Sequence, residues 1–141
     1  MPTAAETVDR CKLFTSLSKK DRSRLAADLR ERPYAAGDAM TSEDQGGVGF
    51  FIIGEGTAEV HIEGSGPART LGPGDVFGEM ALITGETRSA RITAQTDVQC
   101  WVLSQWHFKP LVLGNPELAW ALLEILARRV RETQLRSGTN S

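Results

Sequence analysis

The sequence contains few of the residues that build metal sites and disulfide frameworks. Among its 141 residues there are two cysteines, Cys11 and Cys100, and two histidines, His61 and His107. The cysteines lie far apart and outside any Cys-x-x-Cys spacing, so the sequence predicts free thiols in a reducing compartment, the cytoplasm. Metalloenzymes need several converging ligands, and two isolated histidines do not supply them. Neither a metal nor a resident cofactor is therefore expected.

The chain also lacks a charge excess and a long apolar run. Sixteen basic residues against eighteen acidic ones leave a net charge of −2, which gives no electrostatic reason to expect general binding to nucleic acid or to an anionic membrane. The first ten residues carry acidic side chains and no apolar stretch, so neither a signal peptide nor a membrane anchor is predicted there. At this length we expect one domain with a core of its own.

The first helical pattern runs from Ser16 to Arg32. Ser18 is predicted to be its N-cap, because a serine side chain can accept a hydrogen bond from the backbone amide three residues on, where Asp21 completes a short form of the capping box. Pro33 is predicted to end the helix. Acidic and basic residues are mixed at helical spacing, which favours a solvated face over a partner-binding surface.

The last third of the chain is helical again. Ser104 is predicted to cap a brief turn that Pro110 interrupts or redirects, and Asn115 with Pro116 is predicted to start a longer helix that ends near Leu135. An apolar stripe with i, i+3, i+4 spacing follows this helix at Leu118, Leu122, Ile125, Leu126 and Val130. The stripe can pack over the domain as a lid, or against the same helix of a second copy in a homodimer.

Between these helices, from Tyr34 to Leu103, short apolar runs alternate with turns rich in glycine and proline. Phe50–Ile53 and Thr57–Ile62 are predicted strands, joined through Gly54–Gly56 in a tight hairpin. Two more alternating runs follow at 91–96 and 99–103. Many short strands at such spacing predict a mainly β protein with flanking helices, an antiparallel β-roll of the double-stranded β-helix or jelly-roll type.

The segment Phe77–Ala90, FGEMALITGETRSA, has the composition of a compact anion site. Gly78 has no Cβ, so backbone amides beside it can approach a ligand closely, and a short helix starting near Glu79 would direct its unpaired amides to the same place. Arg88 provides a planar cation shaped to hold two phosphate oxygens. Because a carboxylate repels phosphate, Glu79 is predicted to accept a hydrogen bond from a sugar hydroxyl. A plain salt bridge between Glu79 and Arg88 is the alternative.

This segment resembles the phosphate-binding cassette of cyclic nucleotide-binding domains, the family that includes the regulatory subunits of cyclic AMP-dependent protein kinase and the catabolite activator protein. The resemblance implies that Glu79 binds the ribose 2′-hydroxyl and that Arg88 binds the cyclic phosphate. It also implies that backbone groups of the short helix and the residues after the arginine complete the site. The ligand-binding residues expected on this basis are Phe77, Gly78, Glu79, Met80, Ala81, Arg88, Ser89 and Ala90.

The resemblance extends over nearly the whole chain and implies an N-terminal extension (1–12), a cyclic nucleotide-binding domain (13–135) and a C-terminal tail (136–141). The turn at 44–48 departs from the family pattern, and no helix-turn-helix follows the last helix. We therefore expect a stand-alone cytoplasmic sensor, not an enzyme, that binds cyclic AMP in preference to cyclic GMP and moves its C-terminal helix to report to a protein effector. The alternative is an interaction module of the same fold that has lost nucleotide binding.

The aromatic residues receive mostly structural predictions. Trp101, Trp106 and Trp120 are expected in the core or between helices, and His61 is expected on a strand surface or lining a pocket. In the family a residue of the last helix caps the purine, and the resemblance offers Trp120 or Arg129 for that role.

Overall fold

The computed structural model describes residues 1–40, 49–62, 66–84 and 90–136. Within these ranges the helices are α1 (Ala4–Arg10), a 3-10 turn (Lys12–Phe14), α2 (Lys19–Asp28), α3 (Glu79–Thr84), α4 (Gln105–Leu113) and α5 (Pro116–Arg136). The strands are β1 (Arg30–Tyr34), β2 (Gly49–Glu55), β3 (Ala58–Ile62), β4 (Gly66–Leu71), β5 (Val76–Phe77), β6 (Ala90–Ala94) and β7 (Val98–Ser104). The predicted fold class, a mainly antiparallel β-roll with flanking helices, is confirmed.

The described strands form two antiparallel sheets. One has the order β1-β7-β2-β5 and the other the order β4-β3-β6. The predicted hairpin through Gly54–Gly56 is therefore wrong, because β2 and β3 follow each other in the chain but belong to different sheets. At Gly56 the backbone has φ +93, and a Cβ there would lie 2.3 Å from the carbonyl oxygen of Asp97. This glycine turn carries the chain from one sheet to the other.

Strand β2 connects the two parts of the core because both of its faces are buried. Phe51 and Ile53 lie in the cluster between the two sheets, whereas Phe50 and Ile52 lie in the cluster beneath the helices. Each side packs on an aromatic ring from another element. The ring centroids of Phe50 and Phe108 are 5.0 Å apart, and those of Phe51 and Phe77 are 4.7 Å apart. Double burial explains why this strand is a continuous apolar run rather than an alternating one.

Helix α2 begins as predicted and ends earlier than predicted. The Ser18 side chain accepts a hydrogen bond from the Asp21 amide at 3.1 Å, so the N-cap is confirmed. The helix ends at Asp28, and Arg30–Tyr34 form an edge strand paired with β7. The residue before a proline is disfavoured in the α region, and an edge strand tolerates a proline that cannot donate to the ladder. Pro33 therefore favours the strand over the helix.

The C-terminal helices differ from prediction in two places. Pro110 does not interrupt α4, which continues to Leu113. In α5, Leu118 and Leu122 are buried, but Val130 is 56% exposed and does not belong to the inner stripe. The expectation that tryptophans pack inside is wrong for Trp106, which is 78% exposed, and for Trp120, which is 66% exposed. The outer face of α5 is therefore more apolar than the sequence pattern indicated.

Within the described ranges, no single helix combines the length and apolarity needed to cross a membrane. Helices α4 and α5 meet that test only when taken together, and they are bent by 110° at the break between them. The pair includes Phe108, Leu118 and Leu122, which are buried inside the protein.

Candidate functional site

Gly78 determines how α3 begins. Its backbone has φ +90, and a Cβ there would lie 2.4 Å from the carbonyl oxygen of Gly49. The missing side chain therefore allows a close approach to another strand of the protein. As a result, α3 starts at Glu79 directly after β5, and β5 is held against β2 through the Phe51–Phe77 pairing.

Glu79 is the first residue of α3 and is 1% exposed. A carboxylate at a helix N-terminus interacts favourably with the unpaired amides there. Its ionic partner is Arg129 of α5, whose Nη1 donates to Glu79 Oε1. The Nη2 of the same guanidinium donates to the carbonyl oxygen of Val76 at 2.6 Å. One arginine therefore ties α5 both to the predicted ribose acceptor and to the strand that precedes it.

The Glu79–Arg129 pair is not predicted from the sequence. The family resemblance suggests Arg129 or Trp120 only as a cap for the purine, and Trp120 lies on the exposed side of α5. A signal was present in the spacing, because Arg129 continues the series that runs through Leu118 and Leu122 at intervals of three or four residues. A cation within an inward-facing apolar series indicates a buried anionic partner.

The structure describes only part of the predicted binding set. Phe77 is buried against Phe51, and Met80 and Ala81 lie in the first turn of α3. Ala90 opens β6, where it pairs with Ile62 of β3. Arg88 and Ser89 lie outside the described residues, as does the turn at 44–48. The predicted roles of all eight residues therefore stay predictions, and the structure brings Phe77, Gly78 and Glu79 together beside Arg129.

A groove of about 610 Å³ lies next to this pair, between α5, β4 and the residues that follow α1. Arg69 of β4 lines it. Burial lowers the pKa of Arg69, the nearby Arg129 lowers it further, and Glu132 partly offsets both effects. The Nη1 of Arg69 lies 3.6 Å from a carboxylate oxygen of Glu132. A second, more exposed ion pair thus connects α5 to the roll.

A serine, a histidine and an aspartate lie close together at the start of α4. The Oγ of Ser104 and the Nδ1 of His107 are 2.9 Å apart, and His107 Nε2 lies 3.8 Å from Asp28 Oδ1. The second distance exceeds hydrogen-bond range, the histidine and aspartate side chains are about half exposed, and Ser104 is the N-cap residue of α4. These contacts are those of a helix terminus. They do not align Ser104, His107 and Asp28 so that the serine could act as a nucleophile. Among the described residues, no cluster of three or more His, Cys, Asp and Glu is placed to hold a metal ion.

The comparisons with known proteins agree with this geometry. The profile described as cyclic nucleotide-binding domain matches residues 31–115, which is more than half of the chain. The chain therefore belongs to the cyclic nucleotide-binding domain family. The cAMP-dependent protein kinase regulatory subunit of Eremothecium gossypii is 38% identical to it over 100 residues, which cover 71% of this chain and 22% of that protein. The chain thus matches less than a quarter of this relative.

Solved structures share the fold over almost the whole chain. The structure described as Sp-2Cl-cAMPS bound to PKAR CBD2 has a TM-score of 0.75 and 26% identity, and the match covers 97% of this chain and 90% of that one. The crystal structure of the Thermus thermophilus catabolite activator protein has a TM-score of 0.74 and 27% identity, with 89% and 61% covered.

Proposed function

We propose that this domain binds a cyclic nucleotide, cyclic AMP in preference to cyclic GMP, and reports its occupancy through α5. The observation that carries this proposal is the contact between the predicted ribose acceptor Glu79 and Arg129, which lies 50 residues further along the chain. Membership of the family supports the ligand class, and a neighbour of 26% identity is described as bound to the analogue Sp-2Cl-cAMPS. In this proposal Arg88 binds the cyclic phosphate and the backbone of α3 completes the site.

The coupling follows from the chemistry of the Glu79 carboxylate. A carboxylate has about four acceptor positions on two oxygens, so Glu79 can accept from the ribose hydroxyl and from Arg129 at the same time. When the bound ligand draws α3 toward its phosphate, Glu79 moves with the helix. Arg129 transmits that movement to α5. Because α4 and α5 are separated by a bend at Gly114 and Asn115, α5 can turn relative to the roll. The position of α5 is the output of the sensor.

The sensor needs a receiver, and we propose that a protein effector reads the position of α5. The relative from Eremothecium gossypii is a kinase regulatory subunit, which is consistent with a protein partner. We also propose that the domain acts in the cytoplasm, that it functions by itself, that it catalyses no reaction and that α5 pairs two copies. The buried, unpaired thiols of Cys11 and Cys100 agree with a reducing compartment.

Calorimetry with cyclic AMP and cyclic GMP tests the proposal. Wild type is expected to bind cyclic AMP with micromolar or tighter affinity, and Arg88→Ala is expected to lose roughly a hundredfold, since charge-assisted hydrogen bonds contribute about 1.5–3 kcal/mol each. Arg91→Ala is the matched control, because Arg91 lies exposed in β6. Equal affinity of Arg88→Ala and wild type would contradict the role of Arg88.

A melting experiment separates the proposal from its alternative, an interaction module that has lost its ligand. A ligand at a hundred times its dissociation constant adds about 2.7 kcal/mol to the free energy of unfolding. If millimolar amounts of either nucleotide leave the melting temperature of wild type unchanged, the domain is an interaction module instead.

A further inference from the structure

A second groove, of about 780 Å³, lies where the end of α2, strand β1 and the start of α4 meet. Its floor is apolar, because Leu29 and Phe51 are buried there and Val102 is half-buried. Among the described residues, it shares no lining residue with the groove beside Glu79 and Arg129. Sites for small ligands have volumes of about 300–1,000 Å³. The domain therefore has a second cavity of ligand size, which the proposed nucleotide site does not use.

Strand β1 places two arginines on the wall of this groove. Arg30 is paired with Val102 of the floor, and directly paired residues of an antiparallel sheet point to the same face. Arg32 shares that face because it lies two residues further along the strand. Glu31, between the two arginines, points to the other face, where its carboxylate accepts a hydrogen bond from Gln99. The strand therefore directs its two cations into the groove and the intervening carboxylate away from it.

The helices contribute one acidic residue and an exposed aromatic ring to the same groove. The acidic residue is Asp28, whose Oδ1 lies 3.8 Å from His107 Nε2. Arg30 and Arg32 therefore outnumber Asp28 among the charges that face the cavity. Trp106 lines the groove from α4 and is 78% exposed. A ligand that filled the groove would remove part of this large apolar ring from water, which is favourable.

We propose that this groove binds a small organic acid, an apolar body that carries one carboxylate. The body packs on Leu29 and Phe51 beside the Trp106 ring. The carboxylate pairs with Arg30, because a planar guanidinium matches the two oxygens of a carboxylate. A peptide that adds a strand to β1 is disfavoured, since charged side chains and Pro33 protect this edge of the sheet from pairing. The site is separate from the proposed nucleotide site and does not depend on nucleotide binding.

Tryptophan fluorescence of the full chain tests the ligand class. The titrations use Trp120→Phe protein, in which Trp106 is the strongly exposed tryptophan and Trp101 is half-buried. Decanoate and phenylbutyrate, below their micelle concentrations, are expected to shift the emission to shorter wavelength and to saturate. Decanol, which lacks the charge, is expected to bind about tenfold more weakly, and inorganic phosphate, which lacks the body, should cause no shift. No saturable shift with either acid, or equal affinity for decanol and decanoate, would overturn the proposal.

Calorimetry with decanoate tests the location. Arg30→Gln is expected to raise the dissociation constant roughly tenfold through loss of the charge-assisted hydrogen bond. Arg24→Gln is the matched control, because Arg24 is an exposed arginine of α2 that does not line the groove, and it should leave the constant unchanged. Equal affinity of Arg30→Gln and wild type would overturn the proposal. So would displacement of decanoate by saturating cyclic AMP, since the probe would then occupy the nucleotide site. The comparison of variants needs no nucleotide, so its result stands apart from that of the proposed function.

Discussion

Removing the Arg129 guanidinium tests whether the Glu79–Arg129 pair holds α5 against the roll. Arg129→Met keeps an unbranched apolar stem of similar reach and deletes the charge. It leaves Glu79, 1% exposed, without the cation that donates to it. It also removes the donor to the Val76 carbonyl. The wild-type domain should therefore be clearly more stable than the variant in the absence of ligand.

The expected loss can be estimated from the burial of the two partners. Breaking a buried ion pair by removing one partner costs about 3–5 kcal/mol. The Arg129 side chain is 18% exposed, so solvent screens the pair slightly and the lower end, about 3 kcal/mol, is appropriate. Unfolding entropy of about 2.1 cal/mol/K per residue gives roughly 0.3 kcal/mol/K for a chain of this length. The melting temperature should fall by about 10 °C.

Urea unfolding and thermal melts of four proteins provide the measurement. Arg128→Met is the matched control, because Arg128 is the adjacent arginine and is exposed, and it should stay within about 0.5 kcal/mol of wild type. The double variant Glu79→Gln/Arg129→Met removes the buried charge together with its partner and should recover about 2 kcal/mol of the loss. An Arg129→Met protein within 1 kcal/mol of wild type would refute the reasoning, since the pair would then contribute no more than a surface contact.

Three further predictions concern the fold around the site. Gly78→Ala should cost about 2–4 kcal/mol, because φ +90 and a close backbone neighbour both oppose a Cβ, whereas Gly72→Ala, with open space around it, should change stability by less than 1 kcal/mol in the same urea titration. Burial raises the pKa of Cys11 to about 11 and of Cys100 to about 12, so a thiol reagent at pH 8 should label both only after unfolding. The native state favours the protonated thiols, and the stability they provide is complete below about pH 8.5 and lost as the pH rises towards 11–12; rapid labelling of native protein at pH 8 would contradict this. Ser18→Ala should lower the unfolding free energy by about 1 kcal/mol through loss of the N-cap bond, and a cost near zero in urea would show that the cap contributes nothing.

The sequence predicts the elements of this fold better than their connections. Short strands bounded by glycine and proline identify a β-roll, and the Ser18 cap is read correctly because it depends on residues only three apart. The Gly54–Gly56 connection is misread because strand pairing is decided by residues far away. Strand β3 pairs with β4 and β6, and no local pattern contains that information. Long-range pairing likewise extends β1 across Pro33.

The candidate site divides in the same way. Phe77, Gly78 and Glu79 are adjacent in sequence, and their motif predicts that they act together. Arg129 lies 50 residues from Glu79, and only the packing of α5 on the roll brings it there. The sequence shows that Arg129 can continue the inward-facing series of α5. However, Val130 can continue the same series, because both positions fit helical spacing equally well. Burial distinguishes them, since Val130 is exposed.

The position of Arg129 resolves a conflict that any ribose-binding carboxylate creates. In its proposed role as ribose acceptor, Glu79 must be shielded from water to hold a hydroxyl strongly, yet a buried, unpaired carboxylate would destabilise the domain whenever ligand is absent. The guanidinium of Arg129 stabilises the buried carboxylate, and it belongs to the helix whose position we propose as the output. Coupling free energies are reciprocal, so whatever changes the position of α5 must change nucleotide affinity by the same factor. Pairing of α5 with α5 of a second copy, as proposed above, would bias the same helix. An effector or a second copy that holds α5 in the position it adopts with nucleotide bound should therefore tighten nucleotide binding, and one that holds α5 in the position it adopts without nucleotide should weaken it.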